Sequence, residues 1–588
     1  MGKIEIKQSF SGLEWIVQQV DDRNIENLVQ TAGVSDFVAR LLTLRGIASD
    51  SLESFLNPKL KTHLPNPFSL LDMERACKKT ACAIMNRQSV AIMGDYDVDG
   101  ATSTALLKLF LQDCGCSVLT YIPDRENGYG PSSKKFEEFY EKGCRLCITV
   151  DCGTTAFEPI EFGTTLGMEV LILDHHDAEE KLPNAYAVVN PKRLDEPLNH
   201  CCKGLAAVGV VFLFVVGVNK ILRENGFYTG NITEPNLIRF LDLVALGTVC
   251  DVMPLCGVNR LFVKTGLQQM RLGQNKGINA LCKIAELSEP PSAYHLGYVF
   301  GPRINACGRI GKSDLGMELL STKEDLHAGT LAGTLEELNA QRREIEAAVF
   351  LDAVEQVESQ NISDPFLLVV GEGWHQGVIG IVAGRLKDRY KMPVFVLSVA
   401  GDEVKGSARS VQGVDLGTII MNALTKGVIE HGGGHPKAAG FSLKRQQIDG
   451  FKDYLKAVIQ AENNIEGGNT QLSVDAILSV EAATPDCIKE LSLLEPFGEG
   501  NPEPRFLIPN VFVNKAILLK NGHISCVLNG RNGGKLSAIA FRCADTELGT
   551  QLLKNSNRYF HFVGTLKHYI WKGVTKTQLQ IQDGAFAE

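Results

Sequence analysis

Four acidic motifs carry the chemistry of this chain: Asp95-Tyr96-Asp97-Val98-Asp99-Gly100, Asp151, Asp174-His175-His176 and Asp251. Each stands at the end of an expected strand or helix. Carboxylates gathered at one place repel one another and lose solvation unless positive charge sits between them. A pair of hard or borderline divalent cations is the simplest such charge, and a pair of cations suits hydrolysis.

Other uses of these residues fit less well. An Asp-x-Asp-x-Asp-Gly run also opens a calcium loop, but that loop needs a Glu at its twelfth position, here Leu106, and a helix in front, where this chain has a strand. An aspartyl-phosphate nucleophile at Asp97 or Asp99 leaves Asp174-His175-His176 without a role. Lone histidines are usually structural. Two of them behind a strand-end carboxylate let one imidazole bind metal, oriented by the carboxylate, while the other faces substrate as a cation or acid. The donor set of Asp, Asp, His and Asp suits manganese or magnesium better than a thiolate-rich zinc site. Cys144 and Cys147 form a Cys-x-x-Cys that runs into the strand Leu146 to Val150, and they read as core cysteines.

The elements that must position these residues alternate. Val90 to Met93, Val118 to Ile122, Leu146 to Val150 and Val170 to Leu173 are short apolar strands, and Ala101 to Leu111 is an apolar-rich helix between the first two. Such alternation predicts a parallel sheet covered on both faces, with ligands outside the carboxyl ends of its strands. Asp95, Asp151 and Asp174 each lie one or two residues past a strand, so they converge on one crevice. Leu331 to Val357 reads as a long connecting helix. From Pro365 a second unit begins, with strands at Phe366 to Val370 and Val394 to Leu397 and a helix near Ile379 to Tyr390, and with Gly-rich loops ending at His431-Gly432-Gly433-Gly434-His435. Beyond a polar linker at 461–470, short alternating strands such as Val511 to Leu519 and His523 to Leu528, with Asn-Gly turns at 521 and 529, predict a small β-barrel.

At 588 residues the chain should divide into about three or four domains. Residues 1–70 form a leader of two helical patterns and a Pro-rich stretch, expected to pack on the domain next in sequence. The apolar run Leu205 to Val218, between Lys203 and Lys220, is shorter than the roughly 18 residues of a membrane span and reads as a buried helix. The N-terminus MGKIEIKQSF has no apolar signal core and no myristoylation motif, so a cytoplasmic location without membrane attachment is expected. Sixteen cysteines without regular spacing agree with a reducing compartment. The net charge is −9, yet from Arg505 to Glu588 there are 11 Lys plus Arg against 4 Asp plus Glu, which is +7. A basic C-terminal module on an acidic protein points to a polyanion surface.

The motif order Gly94-Asp95-Tyr96-Asp97-Val98-Asp99-Gly100, Asp151-Cys152-Gly153-Thr154, Asp174-His175-His176 and Asp251 resembles the DHH phosphoesterases. Pro302 to Arg309, Trp374 to Gly380, Gly406 to Ser410 and Gly432 to Gly440 extend the resemblance over nearly the whole chain, toward the RecJ-type single-stranded-DNA-specific exonucleases of bacteria. The fold implied is α/β: a DHH domain with a parallel sheet (71–325), a helical connector (326–360), a smaller α/β DHHA1 domain (361–460) and a C-terminal OB-type β-barrel (461–588), after the leader (1–70).

The resemblance implies that Asp97, Asp99, Asp151, His175 and Asp251 hold two Mn²⁺ or Mg²⁺ ions. His176 becomes the acid or phosphate-polarising group, and Asp95 a further acidic residue of the centre. It further implies substrate contacts from Arg125 and Tyr129, from Arg303 and Arg309, and from His375, Ser407, Arg409, Gly433, Gly434 and His435. Glycines that admit a phosphate to backbone N–H groups, beside a hydroxyl and a guanidinium fork, make chemical sense of the last set. In the basic module, Lys554, Arg558, Lys567, Lys572 and Lys576 interleave with Tyr559, Phe560, Phe562, Tyr569 and Trp571, a pattern in which one or two aromatics serve as stacking platforms and the others as core. The activity implied is a 5′ to 3′ exonuclease on single-stranded DNA, releasing 5′-mononucleotides in repair and recombination. Implied partners are a DNA 5′ end, a single-strand-binding protein and a RecQ-type helicase, with the enzyme a monomer. Two rivals are a phosphodiesterase for oligoribonucleotides or cyclic dinucleotides, disfavoured by the basic barrel, and an inactive replication scaffold, disfavoured by the intact acidic motifs.

Overall fold

The computed structural model of the chain describes residues 6–125, 128, 130–229, 232–359, 364–461, 471–554, 558–571 and 574–587. These fall into two compact units: Leu64–Pro254 with Val258–Gly468, and the described residues of Met1–His63, Leu255–Gly257 and Asn469–Glu588.

In the larger unit five parallel strands run in the order Val118–Tyr121, Val90–Gly94, Leu146–Val150, Glu169–Leu173, Ala187–Val189. The two central strands Val90–Gly94 and Leu146–Val150 are buried at every position, as continuous apolar runs covered on both faces should be. The order reverses between them, and a crevice opens outside their carboxyl ends at such a switch point. Asp95 and Asp151 are the next residues after these two strands. The expected buried helix is Ala207–Glu224, with 13 buried residues named along it. No helix of the described residues is long and apolar enough to cross a membrane.

The connecting helix runs Asp325–Ser359 and leads into a mixed sheet ordered His431–His435, Ala438–Lys444, Glu403–Arg409, Val394–Ala400, Leu367–Glu372. Only the last pair is parallel. Two stretches expected as Gly-rich loops are strands instead. Gly406 lies in Glu403–Arg409, where Val404 and Ala408 point into a core and Lys405, Ser407 and Arg409 occupy the opposite face. Gly432 to Gly434 pair in register with Phe441, Gly440 and Ala439. Glycine hides a strand from a hydrophobicity pattern because it supplies no side chain to alternate.

The smaller unit is built on a closed barrel of Phe506–Leu518, Ile524–Asn529, Lys535–Ala540, Tyr559–Trp571 and Val574–Phe586, with closure through the first and fourth strands. The described leader residues up to His63 are part of this unit and not of the domain next in sequence, whereas 64–70 belong to the larger unit. Its strand Glu14–Val17 pairs with Gln471–Val474, and Trp15 Nε1 donates to Asp583 at 3.0 Å. Leu28, Val38, Leu41, Leu42, Leu52 and Phe55 share one core with barrel residues such as Ile508, Leu528 and Phe562. The amphipathic leader helices must cover an apolar face, and the barrel supplies it. Leu42→Ala should therefore cost about 2–5 kcal/mol in the barrel. In hydrogen exchange, the Ile524–Asn529 amides should lose protection while those of Val90–Gly94 keep theirs.

Candidate active site

The crevice of the larger unit collects every residue of the four acidic motifs. Asp97 caps the helix Val98–Asp113, accepting from the Gly100 N–H at 3.0 Å. Asp99, in the first turn of that helix, is buried. Its two oxygens accept from the N–H groups of Ala207 at 2.6 Å and Val208 at 2.9 Å, at the start of Ala207–Glu224. A helix N-terminus is a favourable neighbour for a carboxylate, and here it fixes the direction in which Asp99 faces. Asp151 follows its strand with φ +60, a left-handed conformation uncommon for a residue with a side chain. Asp251 caps the C-terminus of Leu241–Cys250, and the next residue, Val252, also has positive φ, at 57°. Strained backbone at both turns is the kind of cost that clusters at functional sites.

His175 Nε2 faces three carboxylates, 3.3 Å from Asp151, 3.5 Å from Asp251 and 3.8 Å from Asp99. Asp95, Asp97 and Asp151 bring donor oxygens within 4.8 Å of one another; so do Asp99, His175 and Asp251, and again Asp151, His175 and His176. Two oxygen-rich groups thus stand side by side, linked through Asp151 and His175. Burial, followed by the charges of neighbouring carboxylates, pushes Asp99 and Asp151 up, Asp95 to about 8 and Asp251 to about 7. Buried Oδ1 of Asp95 and Oδ2 of Asp251 accept no hydrogen bond. Acceptors packed this way, with no donors to meet them, fit a pair of oxygen-seeking cations.

The two histidines are opposites. Burial lowers His175 to about 4, so its ring is neutral and able to ligate. His176 is also opposed by burial, but its Nδ1 lies 2.8 Å from Asp174 Oδ1, and the hydrogen bond and charge of that carboxylate raise it to about 9. Asp174 in turn accepts from the N–H groups of Thr154 at 3.0 Å and His175 at 2.8 Å. It is held below the usual carboxylate range because the His176 hydrogen bond and charge and the Thr154 bond outweigh its burial. Thr154 and Asn190 are support residues that the sequence alone did not reveal. The Asn190 amide donates to Thr154 Oγ1 and to the His176 carbonyl, and a single Asn after a strand carries no signal of that role.

Beside the carboxylates is a cavity of about 610 Å³ whose walls come from both halves of the larger unit: Tyr96, Arg125 and Arg309 on one side, and Gln376, Lys405, Ser407, Arg409 and Gly433 among others on the opposite side. Arg125 stacks on Tyr96, 4.4 Å from the ring centre, and donates to the Gly308 carbonyl. Arg309 donates to the Gly377 carbonyl at 2.8 Å, and Arg409 to the Ala408 carbonyl at 2.8 Å. Burial first, then the charges of Arg125, Arg342 and Arg409, lowers Arg309 to about 10. Among the described residues, Arg125, Arg309 and Arg409 pair with no carboxylate. Several guanidiniums held together on backbone carbonyls await an anion, and a phosphate matches their fork geometry. Tyr96 and Lys405 were missed from the sequence. Lys405 shares the Ser407 and Arg409 face by counting in twos, but only once Glu403–Arg409 is known to be a strand.

Not every expected contact reaches this cavity. Arg303 is engaged elsewhere: its Nε lies 2.5 Å from Glu336 and its Nη1 donates to the Val299 carbonyl, which ties its helix to the connecting helix. A Cβ on Gly434 would fall 2.5 Å from the Ala438 carbonyl oxygen, leaving no room for a ligand there, whereas the space beside Gly433 is open. His375 caps the helix Gln376–Tyr390, its Nδ1 accepting from the Gly377 N–H, and His435 is exposed, 3.6 Å from Asp177. Tyr129 and Lys572 lie outside the described residues. On the barrel, Phe560 and Phe562 are core; Tyr559 is exposed, with Arg531 5.3 Å over its ring, and Phe541 is exposed as well.

Residues 89–248 match the N-terminal domain of the DHH family, 363–461 the DHHA1 domain and 474–583 the RecJ OB domain. The chain is 31% identical to the single-stranded-DNA-specific exonuclease RecJ of Bacillus subtilis over 98% of its own length and 71% of that protein, and 36% identical to its Haemophilus influenzae counterpart over 83% and 86%. This chain belongs to the RecJ family. A crystal structure of RecJ in complex with Mn²⁺ from Thermus thermophilus superposes with a TM-score of 0.81 at 27% identity, covering 98% of this chain and 80% of that one. RecJ bound to manganese in a second crystal structure gives 0.57 at 28% identity over 74% and 99%.

For this RecJ-family crevice the histidine pair is directly measurable. Without added divalent ions, NMR titration should find His176 protonated through neutrality with a midpoint near 9, and Asp174→Asn should bring it to about 6.5 or below. The stability contributed by the pairing is full below about 6.5 and is lost as pH rises through the folded value.

Proposed function

We propose that this chain is a metal-dependent 5′ to 3′ exonuclease specific for single-stranded DNA. It hydrolyses phosphodiester bonds to release 5′-mononucleotides, in DNA repair and recombination. The observation that carries the reading is the adjacency of a carboxylate crevice to a cavity lined by unpaired guanidiniums. The crevice fits Mn²⁺ or Mg²⁺, and the cavity fits the 5′ phosphate of the same strand.

In this reading Asp97, Asp99, Asp151, His175 and Asp251 hold two divalent ions, with Asp95 in the shared group beside Asp97 and Asp151. Ions held there would supply Lewis-acid chemistry, acidifying a water and neutralising charge on phosphate oxygens. Asp99 is kept in aim by the Ala207 and Val208 N–H groups. His176, protonated and oriented through Nδ1 by Asp174, presents Nε2–H to the scissile phosphate. Arg125, Arg309, Ser407 and Arg409 grip the terminal phosphate, Arg125 being held flat by Tyr96. The barrel contributes a salt-sensitive grip without sequence preference, through its basic residues and exposed Tyr559 and Phe541. A cytoplasmic monomer working with a single-strand-binding protein and a RecQ-type helicase completes the proposal.

Two experiments test it. Digestion of 5′-labelled and 3′-labelled single-stranded and duplex DNA with Mn²⁺ should give mononucleotides from the 5′ end of single strands only. Arg409→Ala should lower kcat/KM by roughly tenfold to a hundredfold, and should do so less on a strand lacking its 5′ phosphate. Equal loss on both strands would move end recognition elsewhere.

The second concerns the ions. Asp97→Ala and His175→Ala should abolish hydrolysis with an unchanged circular dichroism spectrum. In the parent protein, Mn²⁺ should raise the thermal midpoint more at pH 8 than at pH 6. Carboxylates raised to about 7 and 8 are protonated at the lower pH, and protons then compete with metal. Without metal the same groups lose stability as pH rises from the unfolded carboxylate range toward their folded values.

A further inference from the structure

The turn before the Ala207–Glu224 helix holds a second cluster of ligating side chains, chemically unlike the first. His200, Cys201 and Cys202 bring a ring nitrogen and two sulfurs within 4.8 Å of one another. The two sulfurs are 3.9 Å apart. Two thiolates on one tetrahedral ion, each about 2.3 Å from it, lie roughly 3.8 Å apart, whereas a disulfide holds them at about 2.05 Å. The imidazole is held by Nε2, 3.1 Å from Ser69 Oγ; its Nδ1 accepts from the Cys202 N–H at 3.2 Å, and ligation through Nδ1 exchanges that bond for the ion. An independent observation points the same way. Glu196 is only 5% exposed; its Oε1 accepts from the Leu71 N–H at 2.6 Å, but buried Oε2 has no hydrogen-bond partner. Its charge acts on the Cys202 thiol, which burial and then Cys201 also push up. A buried carboxylate oxygen without a donor, near enough to act on the Cys202 thiol, is a costly arrangement without a cation.

We propose that His200, Cys201 and Cys202, with Glu196 behind them, form a binding site for a thiophilic divalent cation of the zinc class, distinct from the carboxylate crevice. Thiolate and imidazole donors select such an ion over manganese or magnesium, so the two sites sort metals by chemistry. Binding releases the two thiol protons to solvent as the sulfur–metal bonds form. The bound ion clasps the turn to the Ser69–Leu71 segment. That turn feeds Ala207 and Val208, whose N–H groups hold Asp99, so the site is a structural clasp beneath the crevice.

Cobalt is the probe. The reduced, metal-stripped full chain is supplied with excess Mg²⁺ and titrated with Co²⁺. One equivalent should produce thiolate-to-cobalt charge-transfer absorption in the near ultraviolet, which carboxylate sites cannot give, and Zn²⁺ should abolish it. Cys201→Ser, at an exposed position, should lose most of the band with an unchanged circular dichroism spectrum, and His200→Gln should weaken Co²⁺ binding by more than about tenfold. Cys82→Ser, at an exposed cysteine elsewhere, should leave the band intact. Absence of the band at all Co²⁺ levels, its survival in Cys201→Ser, or its loss in Cys82→Ser would overturn the assignment.

Discussion

Mutual repulsion among buried carboxylates is the constraint around which the larger unit is organised. Asp95, Asp99, Asp151 and Asp251 are all raised by burial and then by neighbouring carboxylates, Asp97 among them in each case, so the fold must bring together groups that would rather separate. It does so with rigid parts. Two central strands of a parallel sheet end side by side, two helix termini supply the remaining acids, and the first N–H groups of Ala207–Glu224 hold Asp99 from behind. Even the positive φ of Asp151 and Val252 is understandable as strain imposed by that convergence. A surface loop could not hold like charges at such spacing, whereas the edge of a buried sheet can.

The neighbouring cavity poses the same problem with the sign reversed. Arg309 is depressed by burial and by other guanidiniums, and backbone carbonyls occupy donors that carboxylates would otherwise neutralise. An acid placed among these arginines would have satisfied them and closed the site to an incoming anion. Keeping acids in one compartment and bases in the next leaves each waiting for a ligand of opposite charge. A phosphodiester backbone bound to divalent ions offers both.

Much of this was legible in the sequence because carboxylates at strand ends are visible wherever apolar runs are visible. The strands Val90–Gly94 and Leu146–Val150 and the helix Ala207–Glu224 announce themselves by continuous apolar residues, and the connecting helix by a run rich in Glu, Arg, Ala and Leu without Pro or Gly after Leu335. The strands Glu403–Arg409 and His431–His435 do not, since glycine blanks the pattern on the faces where alternation would show. The same limit hid Lys405. Arg303 illustrates a different one: an arginine in a functional motif and an arginine in an ion pair are the same letter, and only the position of Glu336, 33 residues later on another helix, separates them. The leader's association with the barrel was invisible for a related reason, because amphipathic helices declare that they need a partner but not which one.

Two close backbone contacts seen in the site have a consequence for measurement by the molecule itself. A Cβ on Gly308 would fall 2.6 Å from the Tyr96 carbonyl oxygen, and one on Gly377 would fall 2.5 Å from the Arg309 carbonyl oxygen. The loop between the first two acids, the helix carrying Arg309 and the helix Gln376–Tyr390 are thereby in main-chain contact, with no side chain between them to flex. The carboxylate crevice and the arginine cavity are joined like the jaws of a fixed gauge. In the proposed reading, the length of the fragment removed at each turnover is a dimension of the scaffold, set before any bond is broken.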